Sequence, residues 1–212
     1  MEVSRRDALH NRIQFKLLMK TLNFFIVHLD KRLNDTIKTA GGLELYLDPK
    51  YDEFKHRVNE GEVVASPLKH DTGVEVGDTL YFHHHVVINK GQPLTGNDNH
   101  YLVMYDPDVA VASQAFAYKS KETGEVRALS NWAILEYVEE EDEVKSDLIE
   151  LVKLEESTVR KGRLSFENDR SEQMGLKKGD IVGIMRKADY RFKLDEKEYY
   201  RTRLDDMLYK EI

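Results

Sequence analysis

Three consecutive histidines, His83, His84 and His85, are the residues of this sequence with the clearest capacity for metal chemistry. On a β-strand, His83 and His85 would share one face, and a third ligand from elsewhere would complete a zinc site. The alternative is a strand that passes through a turn or a subunit interface and binds no ion. The sequence favours this alternative, because no cysteine or carboxylate lies within two residues of the histidines. We therefore predict neither a metal nor any other cofactor.

Other constellations that support catalysis are missing from the sequence. It contains no Ser-His-Asp order typical of hydrolases, no phosphate-binding glycine loop and no dinucleotide-binding fingerprint. The adjacent carboxylates Asp205 and Asp206 fall where a strand is predicted to end, and a turn accounts for them. We predict that the protein is not an enzyme.

Composition limits the class of protein further. The 212 residues include no cysteine, which rules out disulfides and thiolate sites and agrees with a reducing cytoplasm. The net charge of −7 argues against nucleic acid as a partner, since such proteins usually present a basic face. No apolar run approaches the roughly 20 residues that cross a bilayer, so we predict no membrane partner and a cytoplasmic location.

A basic stretch near the end of the chain alternates with acidic residues, which predicts a solvated or intersubunit face. Its members are Arg186, Lys187, Arg191, Lys193, Lys197, Arg201 and Arg203.

Short apolar runs predict an all-β protein. From Leu22 onward, Val, Ile, Tyr and Phe cluster in short segments separated by Gly, Asp and Pro, a spacing typical of small barrels. Before them, Leu9, Ile13 and Leu17 recur every four residues, which predicts a short amphipathic helix in a leader of residues 1–21.

The strand-forming part of the sequence occurs twice. The landmarks of the first copy are residues 24–29, 38–45, 60–64, 74–82 and 101–108. Their counterparts, in the same order, are residues 132–137, 145–151, 161–164, 176–182 and 199–206. Five landmarks in one order predict two copies of one domain, at residues 22–118 and 125–212. The polar stretch 119–124 is either a hairpin tip or the linker itself, and the acidic run 139–143 predicts a solvated loop.

The landmarks of the first copy resemble those of the GroES-type co-chaperonins, the small lids that cap GroEL-type chaperonins. Residues 38–45, Lys-Thr-Ala-Gly-Gly-Leu-Glu-Leu, resemble the mobile loop of that family, in which Ser/Thr-Ala-Gly-Gly precedes an apolar-x-Leu tripeptide. Residues 60–65 resemble its Arg-Gly-Glu-Val strand, and residues 74–82 its Val-x-x-Gly-Asp strand. The second copy is similar to the family over residues 130–212.

The resemblance implies two tandem GroES-like small β-barrels and a co-chaperonin that caps a GroEL-type chaperonin ring in its ATP state. Such a lid encloses client protein for folding and forms a ring homo-oligomer, expected to be a heptamer. How paired domains occupy the ring stays open. They could form two tiers or share one tier, or one domain could form the ring while the other decorates it.

The same resemblance implies the residues that bind the chaperonin. Gly41 and Gly42 would give the loop its backbone freedom, and Leu43, Glu44 and Leu45 would form the contact. Leucines two positions apart project on one side and can fill an apolar groove. Glu44 is a departure, because the middle position of the family tripeptide is usually apolar. The alternative for this segment is an ordinary strand whose leucines face the core.

The second copy offers a corresponding loop at Leu148, Ile149, Glu150 and Leu151. It keeps the apolar-Glu-Leu pattern and lacks the double glycine, so we expect it to be stiffer and structural or only weakly engaged. If it binds, it would dock through Ile149 and Leu151.

Residues 65–73 and 165–175 are short where family members with a closed dome carry a longer hairpin. The implied lid has an open or minimal roof, as in virus-encoded co-chaperonins that accommodate a bulky capsid protein. We therefore expect a bacteriophage origin, a viral capsid protein among the clients and the host cytoplasm as the location. The rival hypothesis is an oligomeric structural or interaction protein that uses the same barrel without chaperonin binding.

Overall fold

A computed structural model describes residues 20–31, 36–46, 53–88, 92–94, 97–109, 113–138, 159–185, 188–195 and 197–212. The chain divides into two compact units, Met1–Val126 and Arg127–Ile212. The prediction of an all-β protein is confirmed, because strands dominate both units and helices in the described ranges have at most five residues. The predicted N-terminal helix lies outside the described residues.

The first unit contains the strands β1 (Phe24–His28), β2 (Thr36–Lys38), β3 (Glu44–Tyr46), β4 (Glu60–Ala65), β5 (Thr79–Phe82), β6 (Gln92–Leu94), β7 (Asn97–Met104) and β8 (Ala115–Lys119). Strand β9 (Val126–Ala128) crosses the boundary between the units. The second unit contains β10 (Trp132–Tyr137), β11 (Val159–Phe166), β12 (Ile181–Met185), β13 (Tyr190–Leu194), β14 (Lys197–Arg203) and β15 (Met207–Lys210).

Among the described residues, three short helices and one 3-10 turn lie between these strands. They are α1 (Glu53–His56), α2 (His85–Ile88), α3 (Asp169–Gln173) and the 3-10 turn Leu204–Asp206. Within the described part of the chain, none of the helices has the length and apolar character needed to cross a membrane.

Each unit is built on one main sheet. The order of the seven-stranded sheet is β6-β7-β1-β4-β5-β8-β9, and that of the six-stranded sheet is β13-β14-β10-β11-β12-β15. The two orders correspond strand for strand if β9 is set aside. Both sheets have two outer strands, so hydrogen bonding among the described residues does not close either one into a barrel.

The two sheets also repeat in register. The register between β1 and β4 shifts at Ile26 and Val27, where Val64 is the extra residue on β4. The register between β10 and β11 shifts at Ile134 and Leu135, where Ser165 is the extra residue on β11. Each shift is a β-bulge, in which an extra residue bends and twists the strand. Because the bulges fall at equivalent positions, the two sheets share local irregularities as well as their strand order.

A glycine-aspartate turn forms the second shared detail. Gly77 and Gly179 have φ angles of +99° and +95°, a left-handed conformation that glycine adopts without steric cost. The Gly77 N–H donates to the carbonyl of Val63 in β4, and the Gly179 N–H donates to that of Leu164 in β11, both at 2.8 Å. Each turn is thereby attached to the middle of the neighbouring strand.

One cross-strand pair differs between the units in a complementary way. In the first unit, Tyr81 of β5 is paired with Ala117 of β8. At the equivalent place in the second, Gly183 of β12 is paired with Tyr209 of β15. A Cβ atom on Gly183 would lie 2.3 Å from the Tyr209 ring, so the tyrosine occupies the space that glycine leaves. The large residue of this pair therefore lies on the inner strand β5 in the first unit and on the outer strand β15 in the second.

The stretch 119–124 is the turn of a hairpin between β8 and β9. The Ser120 N–H donates to the Glu125 carbonyl at 2.8 Å, and the Gly124 N–H donates to the Ser120 carbonyl at 2.9 Å. Of the two roles that the sequence left open for this stretch, the structure therefore shows the hairpin tip.

Asp78 ties its turn to a second element and should be important for stability. Its side chain is buried and accepts the N–H groups of Glu75 and Lys121, both at 2.9 Å. We predict that Asp78→Ala lowers the free energy of unfolding by about 1–3 kcal/mol, because two backbone donors lose their acceptor. Urea denaturation followed by circular dichroism measures the change.

The matched control for this prediction is Asp71→Ala. Asp71 is exposed and accepts one long hydrogen bond, from the Gly73 N–H at 3.4 Å. Its replacement should change the free energy of unfolding by less than about 0.5 kcal/mol. Equal denaturation midpoints for Asp78→Ala and the unaltered protein would show that the Asp78 carboxylate does not hold the turn.

Candidate functional site

The segment predicted to bind a chaperonin forms a hairpin of its own in the first unit. Strands β2 and β3 pair as a separate two-stranded sheet, with Thr36 opposite Tyr46 and Lys38 opposite Glu44. Gly41, Gly42 and Leu43 lie in the tip between the two strands, and Glu44 and Leu45 begin the returning strand. The structure therefore places all five predicted residues of the first loop in one short element.

A closed turn at the tip holds the hairpin together. The Thr39 N–H donates to the Leu43 carbonyl at 2.9 Å, and the Leu43 N–H donates to the Thr39 hydroxyl at 3.1 Å. The Gly42 N–H donates to the Thr39 carbonyl at 2.9 Å. Gly42 has a φ of +79°, so the second glycine of the pair is the one that the turn requires.

The hairpin exposes large apolar side chains. Leu43 is 63% exposed and Leu45 is 46% exposed, so neither leucine faces the core. Tyr46, which the sequence analysis did not single out, is 80% exposed at the end of β3. A tyrosine in a short strand is so common in cores that only its placement on an isolated hairpin reveals it as a surface residue.

The loop of the second unit falls in a part of the chain that the structure does not describe. Leu148, Ile149, Glu150 and Leu151 lie outside the described residues, and so does the acidic run 139–143. Their role in binding stays a prediction.

A polar cluster joins the two strands that flank this second loop. Tyr137 ends β10, Arg160 lies near the start of β11, and the Arg160 guanidinium donates to the Tyr137 hydroxyl at 2.8 Å. The same guanidinium is 3.2 Å from the carboxylate of Asp189, which also accepts the Tyr137 hydroxyl proton. The cluster connects the end of β10 to the start of β11.

A cavity of about 290 Å³ lies in the first unit, beside the end of β1 and the start of β4. Arg57 and Lys31 contribute cationic groups to its wall, and Asp30, Glu60 and Glu62 contribute anionic ones. Because both signs of charge line the same space, the wall does not select an anionic or a cationic ligand.

The three histidines do not lie on a strand, so the strand placement considered for them is wrong. Strand β5 ends at Phe82 and helix α2 begins at His85, which leaves His83 and His84 in the connecting turn. The ring centroids lie 4.4 to 4.6 Å apart, so all three imidazoles are in mutual contact. Periodicity could not reveal this, because an apolar run does not mark the residue at which a strand stops.

Charged groups singled out in the sequence have structural contacts. Asp206 accepts two hydrogen bonds from the Arg203 guanidinium, at 2.8 and 3.0 Å, within the predicted turn. The Arg201 guanidinium lies 4.0 Å from the ring centre of Trp132 and 5.0 Å from that of Tyr190. Burial of the guanidinium lowers the pKa of Arg201 to about 10, and the residue as a whole is half-buried.

No protein-family model and no curated protein matches this sequence.

The two glycines at the hairpin tip should differ in their tolerance of alanine. We predict that Gly42→Ala weakens the hairpin by about 1 kcal/mol, because alanine is strained at a φ of +79°. Faster hydrogen exchange of the Thr39 and Leu43 amides would report the weakening. Gly41→Ala is the control, since an added Cβ there meets only the Thr39 hydroxyl at 4.0 Å. Equal exchange rates in the two variants would contradict the assigned role of Gly42.

The second unit should lose stability in acid through Glu136. The Lys197 ammonium, 2.8 Å from the carboxylate, is the main cause that lowers the pKa of Glu136 below its ordinary value of 4.5. A carboxyl with a lowered pKa in the folded chain stabilises the fold above its unfolded pKa, and this contribution is lost as the pH falls through the folded pKa. Stability should therefore decline from about pH 5 downward, and Glu136→Gln should make that decline shallower.

Urea denaturation followed by tryptophan fluorescence measures this effect. Trp132 is the single tryptophan and lies in β10 with Glu136, so the signal reports on the second unit. Lys197→Met should reduce the acid dependence as Glu136→Gln does, because both variants remove the same ion pair. An acid dependence unchanged in Glu136→Gln would contradict the prediction.

Proposed function

We propose that the chain is a tandem co-chaperonin of the GroES type, with each unit a GroES-like barrel domain. It caps a GroEL-type chaperonin ring in the ATP state, encloses client protein and carries out no catalysis of its own. The observation that supports this most is the separate β2–β3 hairpin, which presents Leu43 and Leu45 to solvent. An isolated hairpin with an apolar tip is suited to insertion into a groove of a partner.

The energetics of the hairpin agree with a reversible contact. Burial of a leucine side chain contributes about 1.5–3 kcal/mol, so Leu43 and Leu45 together give a weak attachment after the entropy of ordering is subtracted. A lid made of a ring of such chains, proposed here as a heptamer, multiplies the attachment through avidity. Because the lid engages only the ATP state of the chaperonin, it also favours that state.

Glu44 gives the proposed contact its chemical character. It is exposed between the two leucines, and its backbone is paired with that of Lys38. An apolar groove with a basic or polar rim would accept this hairpin better than a uniformly apolar one, because a buried carboxylate needs a partner. Because successive side chains of an extended segment project to opposite sides, the donor should lie on the rim of the groove, away from the two leucine sites.

The lid has a minimal roof, and we propose a bacteriophage origin with a capsid protein among the clients, in the host cytoplasm. The two stretches at the expected roof positions are short, residues 65–73 and 165–175. In the second unit this stretch contains α3, whose N-terminus Asn168 caps by accepting the Ser171 N–H at 2.8 Å. A compact capped helix leaves more space over a ring axis than a long hairpin.

A second candidate is an oligomeric interaction protein that never meets a chaperonin. Outer strand β15 favours it, because Leu208 and Tyr209 on that strand are 50% and 44% exposed. A strand at the edge of a sheet with exposed apolar side chains is a template for pairing with another chain. The two candidates share assembly and differ in chaperonin binding.

The test of the proposal is the variant Leu43→Asp with Leu45→Asp. Two carboxylates cannot enter an apolar groove without a large desolvation cost, so binding to an ATP-bound GroEL-type chaperonin should fall at least about a hundredfold. Sedimentation with the chaperonin and inhibition of its ATPase both measure the loss.

Leu68→Asp is the matched control, since Leu68 is 55% exposed in the same unit and lies away from the hairpin sequence. It should bind as the unaltered protein does. Unchanged chaperonin binding in the double variant would overturn the proposed contact. A protein that forms rings and has no effect on any GroEL-type ATPase would favour the second candidate.

A further inference from the structure

We propose that His83, His84 and His85 form a binding site for a divalent transition-metal ion, with Zn²⁺ as the expected occupant. Each residue offers one ring nitrogen, and the three nitrogens all lie within 4.8 Å of one another. The proposal departs from the sequence prediction of no metal and does not depend on the proposed function.

Hydrogen bonds on both sides fix the backbone of these residues. The His83 N–H donates to the carbonyl of Gln114 at 3.0 Å, which attaches the turn to the segment before β8. The carbonyls of His83 and His84 accept the N–H groups of Val86 and Val87, both at 3.0 Å. Both valines are buried, so α2 is anchored in the core and the turn before it has little freedom.

This backbone brings the three rings together, which a strand would not do. Successive side chains of a strand point to opposite faces, whereas a turn that leads into a helix can gather three neighbours. The ring of His83 lies 4.6 Å from that of His84 and 4.4 Å from that of His85. In addition, the His85 N–H donates to Nδ1 of His83 at 3.3 Å and orients that ring.

The spacing of the nitrogens is close to what zinc requires. Zinc binds histidine nitrogen at about 2.0–2.1 Å in tetrahedral geometry, which places two nitrogens about 3.3 Å apart. From separations of at most 4.8 Å, the atoms need to close by about 1.5 Å or less, within the reach of side-chain torsions.

The burial of the three residues suits an ion that enters from solvent. His84 is 3% exposed, His83 is intermediate and His85 is exposed. The cluster therefore has a buried end and an open end, and water can supply the fourth ligand at the open end, as at sites with three protein ligands. A bound ion would link the end of β5 to the first turn of α2.

The chemistry of the donors selects the ion. Imidazole nitrogen favours Zn²⁺, Cu²⁺ and Ni²⁺, whereas Mg²⁺ and Ca²⁺ prefer oxygen. The three residues each offer one imidazole nitrogen to a shared cation. The net charge of −7 on the chain raises the local concentration of cations.

The test is titration of the untagged, full-length protein with ZnCl₂ by calorimetry, after dialysis against a chelator and in the presence of excess MgCl₂. We expect one Zn²⁺ per chain. His85→Gln should weaken binding by at least about tenfold, since even the loss of a group behind a ligand has an effect of that size. Because His85 is exposed, this variant should keep its fold, which circular dichroism verifies.

His70→Gln is the matched control, because the His70 ring packs edge-on against Tyr105 in the same unit and outside the cluster. It should bind Zn²⁺ as the unaltered protein does, and His83→Gln should lose affinity as His85→Gln does. The proposal is wrong if the unaltered protein binds no Zn²⁺ under these conditions. It is equally wrong if His85→Gln retains full affinity or if His70→Gln loses as much.

Discussion

In both units, two backbone hydrogen bonds attach a glycine-aspartate turn to the strand beside it. The amide of Val63 donates to the carbonyl of Asp78 at 2.8 Å, while the amide of Gly77 returns a bond to Val63. Leu164, Asp180 and Gly179 make the same exchange in the second unit. Because this contact sets where β5 and β12 begin, it fixes the register of the strands around them. Backbone geometry therefore sets part of the framework of both units.

Much of this framework could be predicted from the sequence. The Gly77-Asp78 and Gly179-Asp180 dipeptides mark turns because glycine alone adopts the required backbone angle without strain. Runs of β-branched and aromatic residues then predict the strands, and the order of the landmarks predicts the repeat. The equivalent bulges at Val64 and Ser165 could not be predicted, since a bulge depends on how two distant strands pair.

The candidate site also has features that the sequence predicts and features that it does not. Gly42 and the two leucines beyond it carry a local signal, because a left-handed glycine and apolar residues at alternate positions are features of sequence alone. The exposure of Tyr46 and the contact of the three histidine rings are not local. They depend on the hairpin being separate from the main sheet and on β5 ending at Phe82. Both depend on tertiary structure. The residue pattern therefore indicated a strand at the histidines, although β5 ends at Phe82.

Exposed leucines on a hairpin favour aggregation, and the closed tip reduces this risk. Apolar side chains in solvent favour aggregation, above all on a strand whose backbone groups are free to pair. Here the tip is closed by Thr39, whose backbone and hydroxyl both bond to Leu43, so part of the hydrogen-bonding capacity is used within the hairpin. A short, self-bonded element can present two leucines with little strand edge beside them.

A chain that contains the same sheet twice faces the hazard of strand exchange between its copies. Strand β8 pairs with β5 as β15 pairs with β12, and both pairings have a register shift at the equivalent position. Exchange would set Tyr81 against Tyr209, two large residues, and Gly183 against Ala117, two small ones. Such pairs fit less well than the large-small pairs of the native sheets. The difference between the repeats should therefore favour the pairing of β8 and of β15 with their own sheets as the chain folds.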